Sequence, residues 1–228
     1  MHTLLDYDGN LSAYINITDE KTANNKGAYD IPLYSGSVIV ADRFYNDFAL
    51  LNIWDSKGVH FVIRHKENLQ FVSIKENKLS ENRHQNSLKD EIIELKNATS
   101  LVKYPKKLRR IAIWDRKNQK TIELITNNFK WSANTISELY KNRWQIEIFF
   151  REIKQLLHIK SFIGTSENAV MMLIWPALIT IHVLMVLKSI TKYKWHLSNL
   201  VAFIRLNLFD KIYLQLWHDK PYEEQKKK

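Results

Sequence analysis

Residues 37–64 read SVIVADRFYNDFALLNIWDSKGVHFVIR, and this stretch decides the fold class. Ser37 to Ala41 is a short, unbroken, largely β-branched run ending at Asp42, the pattern of a strand covered on both faces. From Phe44 to Lys57 the apolar residues Phe48, Leu51 and Trp54 recur at helical spacing. Gly58 then offers the residue that most readily ends a helix in the left-handed conformation. Val59 to Arg64 is a second apolar run. Strand, helix and strand in so short a length predict a right-handed parallel crossover, hence an α/β fold with Asp42 ending a central strand.

Upstream, Thr3-Leu4-Leu5, the turn-rich Asp6 to Asn10 and the alternating Leu11 to Ile17 predict a hairpin, and Lys21 to Leu33 a short helix. Downstream the character changes. Phe71 to Ile74, Ser100 to Tyr104, Leu108 to Trp114 and Thr121 to Thr126 read as strands separated by polar stretches, with Asp115 to Lys120 as a hairpin loop. These form an expected antiparallel subdomain inserted into the α/β domain. From Ser132 the chain reads as helical, with one helix over about Ala133 to His158. The expected organisation is residues 1–68 as the first part of the α/β domain, 69–127 as the inserted β subdomain, 128–215 as its helical completion and 216–228 as a tail.

Composition bounds the partners. Hydrophobic residues make up 45% and charged residues 25%, which is globular rather than disordered. Lys and Arg outnumber Asp and Glu by 34 to 24, a net charge of +10, which favours polyanions through counterion release. The chain has no cysteine, so disulfides, thiolate catalysis and cysteine-ligated zinc are excluded together. Its amino terminus has neither the basic start nor the apolar stretch of a signal peptide, and the expected location is the cytoplasm. Ala169 to Leu187 is almost continuously apolar and long enough to cross a bilayer. Pro176, Thr180 and His182 interrupt it, and a helix kinked near Pro176 and buried within a soluble domain is the expectation; a membrane anchor is the alternative.

The densest chemistry lies in Tyr140-Lys-Asn-Arg143-Trp-Gln-Ile-Glu147-Ile-Phe-Phe-Arg151-Glu-Ile-Lys154. On one continuous helix, Tyr140, Arg143, Glu147, Arg151 and Lys154 would fall on a stripe roughly 80° wide. Two readings fit. The stripe can be a solvated face on which Glu147 pairs with Arg143 and Arg151 at i,i+4 spacing. Alternatively Glu147 coordinates a divalent cation while Arg143, Arg151 and Lys154 hold phosphates beside it.

The spacing Y-(2)-R-(3)-E-(6)-K, met by Tyr140, Arg143, Glu147 and Lys154, resembles the signature of bacterial insertion-sequence transposases of family four. Ile125-Thr126-Asn127 and the strand Val40-Ala41-Asp42-Arg43-Phe44-Tyr45 agree with that resemblance, as does Leu4 to Gly9 with Ile17-Thr18-Asp19. It implies a ribonuclease-H-like mixed sheet whose two Asp and one Glu hold two Mg2+ ions. Asp42 and Glu147 would be the second and third acids, both catalytic and metal-binding. Tyr140, Arg143 and Lys154, with Arg151 beside them, would grip DNA, the transposon ends and the target. The assembled form on DNA would be a homodimer, with no membrane partner.

The family's first Asp precedes the hairpin that opens this chain, and Asp6 and Asp8 sit in a turn, where Asp is a common turn former. The expectation is therefore an N-terminally truncated transposase of impaired cut-and-paste chemistry. The alternatives are a DNA-binding remnant that interferes with a full-length relative, or a membrane-anchored protein. Asp115 reads as a turn residue and His182 as a hydrogen-bonded core histidine; Trp114, Trp131 and Trp144 read as core or hinge aromatics. No His-x-x-x-His pair is present.

Overall fold

The computed structural model describes residues 2–6, 12–17, 26–65, 67–79, 87–156, 166–209 and 219. β1 (His2–Leu5) and β2 (Ser12–Asn16) pair in a two-stranded sheet, as the opening alternation predicts. The turn between them and residues 18–25 lie outside the described residues. A single 3-10 turn at Lys26–Ala28 occupies the described part of the short helix expected there.

β3 (Val38–Ala41), α1 (Phe48–Ser56) and β4 (His60–Arg64) form the predicted crossover, and the two strands pair in parallel with Ala41 opposite Ile63. Asp47 starts α1 by accepting from the Ala49 amide at 3.0 Å. Gly58 follows its end at φ +74°, a left-handed conformation that favours glycine.

The strands continue as β5 (Phe71–Glu76), β6 (Ser87–Leu95), β7 (Leu108–Asp115) and β8 (Lys120–Thr126), with α2 (Ala98–Lys103) between β6 and β7. They join the parallel pair in one six-stranded mixed sheet of order β3-β4-β8-β7-β6-β5. Residues 69–127 thus supply the antiparallel part of the same sheet, because β8 pairs with β4 through Val62–Thr126 and Ile63–Ile125.

Three expectations are corrected here. The Ser100 to Tyr104 strand is instead the end of helix α2, because the Asn97 side chain accepts from the Thr99 and Ser100 amides and starts a helix there. β6 is a strand where the sequence reads as a polar stretch. β3 is an edge strand among the described residues, not a central one. An apolar run reports that the two faces of a strand are covered, and they are: Ile39 packs into one core and Val40 against the other. It says nothing about whether the lateral edge is paired.

Alternation distributes the core over both faces. Ile39, Leu50, Leu51, Trp54, Phe61, Ile63, Tyr104, Leu108 and Ile125 pack on the α1 side. Val62, Ile111, Ile113 and Leu124 pack with Ala133, Ile136 and Tyr140 of α3 (Ala133–Asn142) on the other. Ser132 caps α3 by accepting from the Thr135 amide at 3.0 Å.

The long helix expected over Ala133 to His158 is two helices, α3 and α4 (Gln145–Leu156). Between them the Arg143 and Trp144 amides donate to the Tyr140 and Lys141 carbonyls, three residues back rather than four, which interrupts the α ladder. The expected end at 157–158 lies outside the described residues.

The chain divides into two compact units, Met1–Leu4 with Tyr14–Trp144, and Leu5–Ala13 with Gln145–Lys228. In the second, α5 (Glu167–Ile190) packs against α4 and α6 (Leu197–Asn207) through Phe149, Ile153, Leu178, Ile181, Leu184, Leu200 and Val201. The helix over Ala169 to Leu187 is present, with Pro176 inside it. Its expected burial is not: Met172, Trp175, Ile179, Val183 and Val186 are exposed. Its apolar residues surround the whole helix, and α4 and α6 cover one face of it.

Candidate active site

β3 delivers Asp42 to the carboxyl end of the parallel pair, the end at which open α/β sheets bind ligands. The residue caps a 3-10 turn at Arg43–Tyr45, its Oδ1 accepting from the Arg43 amide at 2.6 Å. That contact leaves Oδ2 to face Arg143, whose Nη1 lies 3.7 Å away. The Asp42 side chain is 44% exposed and that of Arg143 17%, so the carboxylate is accessible while its cation is largely sheltered.

Arg143 is held from below. Its guanidinium lies 5.5 Å from the ring centroid of Tyr140, within range of a cation–π contact. Tyr140 is itself anchored in the core beneath α3. Burial pushes its phenol above its ordinary value; Arg143 and Arg64 act to lower it, and Asp42 to raise it further. The hydroxyl therefore stays protonated near neutral pH; its oxygen accepts from Arg143 and its proton remains available to donate. Three residues chosen from sequence, Asp42, Tyr140 and Arg143, thus meet across about 100 positions of chain.

Sequence reasoning missed the surroundings. Arg64, at the end of β4, adds positive charge beside Tyr140. An open cleft of about 550 Å³ is lined by Asp42, Arg43, Phe44, Glu67 and Asn68. Arg43 and Phe44 stand in the segment that carried the resemblance. Glu67 and Asn68 come from the loop after β4, and only the parallel pairing of β3 and β4 brings that loop beside Asp42.

Asn127 is explained by geometry. Its Oδ1 accepts from the Phe61 amide at 3.0 Å, and its Nδ2 donates to Asp55 Oδ1 at 2.7 Å and to the Val59 carbonyl at 3.0 Å. It ties the end of β8 to the start of β4 and fixes the frame on which Asp42 sits.

The second unit holds the other expected residues. Glu147 is partly buried in the first turn of α4, where a carboxylate complements the helix dipole. Arg151 and Lys154 are exposed and share its face, within an arc of about 60°; Phe149 and Ile153 are buried on the opposite face. The five-residue stripe is therefore divided: Tyr140 and Arg143 stand with Asp42 in the first unit, and Glu147, Arg151 and Lys154 stand together in the second. Among the described residues, no three His, Asp or Glu side chains converge on a single point.

The secondary candidates resolve into structural roles. Asp115 accepts from the Lys117 and Asn118 amides and from Asn118 Nδ2 at 2.7 Å, as a turn former does. His182 Nδ1 donates to the Leu178 carbonyl at 2.6 Å, and Nε2 accepts from the Ser12 amide at 3.2 Å. Trp131 packs against the α3-side core, Trp114 is partly exposed on β7, and Trp144 is exposed at the break between α3 and α4. Asp6 is exposed just past β1, while Asp8 lies outside the described residues.

Comparison with known proteins gives the chain a family. Residues 1–183 match the family described as the transposase DDE domain. A Sinorhizobium fredii protein named "Putative transposase y4zB" is 29% identical over 213 residues, covering 92% of this chain and 59% of that protein. A Geobacillus stearothermophilus protein named "Probable transposase for insertion sequence element IS5377" is 32% identical over 170 residues, covering 74% of this chain and 44% of that protein. The chain spans about half the length of these relatives.

Proposed function

Because the chain belongs to the transposase DDE-domain family, we propose that its site is built for DNA transposition chemistry of the insertion-sequence family-four type, with Asp42 and Glu147 as the second and third acids of the metal site. The observation that carries this reading is the meeting of Asp42, Arg143 and Tyr140 at the carboxyl end of β3. The mixed sheet, to which residues 69–127 add the antiparallel strands, is consistent with a ribonuclease-H-like frame.

Carboxylate oxygens on an accessible strand end suit a hard divalent cation, and Mg2+ is the ion we assign. Bound Mg2+ would supply an activated water or 3′-hydroxyl on one side of a DNA phosphate and a stabilised leaving oxygen on the other. Asp42 and Glu147 would hold it. Tyr140, Arg143, Arg151 and Lys154 would hold the DNA backbone, Arg143 from a sheltered position beside Asp42. The enzyme acts in the cytoplasm, on transposon-end and target DNA, as a homodimer on that DNA.

Two carboxylates are few for two mutually repelling cations, so the 228-residue chain by itself is expected to bind transposon-end DNA without cutting it. Cleavage in Mg2+ is expected once an upstream strand carrying an Asp is joined to it, and Glu147→Ala should abolish that cleavage. Cleavage indifferent to both Asp42→Asn and Glu147→Ala would overturn the assignment. Salt-sensitive binding with no cleavage in either form would favour the DNA-binding remnant.

A further inference from the structure

α5 carries an apolar surface that the active site does not use. Met172, Trp175, Ile179, Val183, Val186 and Ile190 are between 45% and 75% exposed. Their spacing of three, four, four, three and four residues places all six within an arc of about 80°. They form a single seam about 27 Å long. The opposite face of the helix is already occupied, with Ala177, Leu178, Ile181 and Leu184 buried and His182 bonded to Ser12.

We propose that this seam is a self-association surface, on which a second copy of the chain docks α5 against α5 in the absence of DNA. Several observations select this occupant. From Asn168 to Leu187 the helix has no charged residue, so nothing on the seam repels an identical seam or recognises a phosphate. The 3–4 spacing lets the ridges of one helix enter the grooves of another, and an isologous pairing satisfies both copies at once. The polar group at its rim is already satisfied, since Thr180 Oγ1 donates to the Pro176 carbonyl at 2.7 Å. Six large side chains at these exposures offer on the order of 500 Å² per copy, so a pair buries about 1,000 Å², the lower bound of a specific interface. Asn168–Ile190 is also long and apolar enough to cross a membrane, so lipid is the competing occupant of this face.

The test is sedimentation of the full 228-residue chain without DNA over a concentration series up to about 50 µM. A dimer that dissociates on dilution is expected. Ile179→Glu with Val183→Glu should weaken it by about 100-fold or more, with the circular dichroism of the folded chain retained. Lys188→Glu, outside the seam, should leave association unchanged. Should the double variant unfold, Ile179→Gln with Val183→Gln makes the same test with milder side chains. Because the chain has no cysteine, Ile179→Cys gives an independent readout: oxidation should link two copies, and Asp115→Cys should not. A monomer throughout the series would overturn the proposal, as would a dimer indifferent to the seam variants. Partition of the chain into anionic phospholipid vesicles, lost in the seam variants, would assign the face to lipid and overturn it too. None of these readouts depends on DNA cleavage.

Discussion

The sheet unit buries charge, and the helical unit exposes hydrocarbon. In the first, Asp90, Glu91, Arg109 and Arg110 lie inside the fold; in the second, one apolar helix face of six large residues stands in solvent. Hydropathy predicts the reverse of both. The difference is in partners. Each buried charge in the sheet meets its opposite across a strand: Arg109 Nε and Nη2 donate to the two oxygens of Asp90 at 2.8 and 2.6 Å, and Arg110 bridges Glu91 and Glu123. Successive residues of a strand point to opposite faces, so Asp90–Arg109 and Glu91–Arg110 serve one face each. The α5 face has no such partner among the described residues of its unit, and a second copy would supply one.

The largest effect is expected where a buried charge loses its partner. Arg109→Ala leaves the Asp90 carboxylate buried and removes a donor from the Asn128 carbonyl. A loss of about 3–5 kcal/mol in denaturant-induced unfolding is expected. A loss below about 1 kcal/mol would mean that the β6–β7 pair tolerates an isolated charge, and that pairing is not what keeps charge inside the sheet.

Two adjacent positions on α5 sharpen the second half of the comparison. Leu178 is buried, and Leu178→Ala should cost about 2–5 kcal/mol. Ile179 is 61% exposed, and at concentrations low enough to keep the chain monomeric Ile179→Ala should cost no more than about 0.5 kcal/mol. Equal losses in thermal or chemical melts would show that both faces are packed within a single chain.

These particulars explain what the sequence could disclose. β3, β4, β7 and β8 were legible because their β-branched runs reflect covered faces. β6 was not, because Lys89, Asp90, Glu91 and Glu94 read as solvated. What makes it a strand is a pair of arginines 19 positions away, beyond any local pattern. α2 was misread because Leu101 and Val102 resemble a strand, whereas the capping side chain of Asn97 decides the matter. In the site, Asp42, Tyr140 and Arg143 were legible from a spaced motif. Arg64, Glu67 and Asn68 were not, since strand pairing alone brings them there. Periodicity over 133–158 could not reveal the break at Arg143–Trp144, because apolar residues recur at helical spacing on both sides of it.

A smaller, pH-dependent effect follows from Glu91. Burial acts to raise its carboxyl, but hydrogen bonds from Ser73, Lys89 and Arg110 outweigh that and hold it below the ordinary value of 4.5. A lowered folded-state value contributes stability that is present above the unfolded value and lost as pH falls through the lowered one. Stability should therefore decline on acidification below about pH 4.5, and Glu91→Gln should flatten that part of the profile while lowering stability at neutral pH. An unchanged slope in the variant would assign the acid sensitivity to other carboxylates.

The smallest effect is expected from the same chemistry in water. Arg43 and Glu67 approach to 3.8 Å at the mouth of the Asp42 cleft, with side chains 57% and 86% exposed. Solvent screens their attraction, and two long side chains must give up rotamer freedom to hold one geometry, so the pair should contribute almost nothing to folding. Glu67→Gln is therefore expected to leave the melting temperature within error, in contrast to the Asp90–Arg109 pair, whose side chains are 5% and 6% exposed. Its consequence should lie in function. Neutralising Glu67 removes a negative charge beside Asp42 in a cleft proposed to receive DNA phosphates, so binding at low salt should tighten modestly while stability stays fixed. Unchanged binding would place the DNA away from this cleft, and a clear loss of stability would show that exposure does not govern the value of an ion pair in this protein.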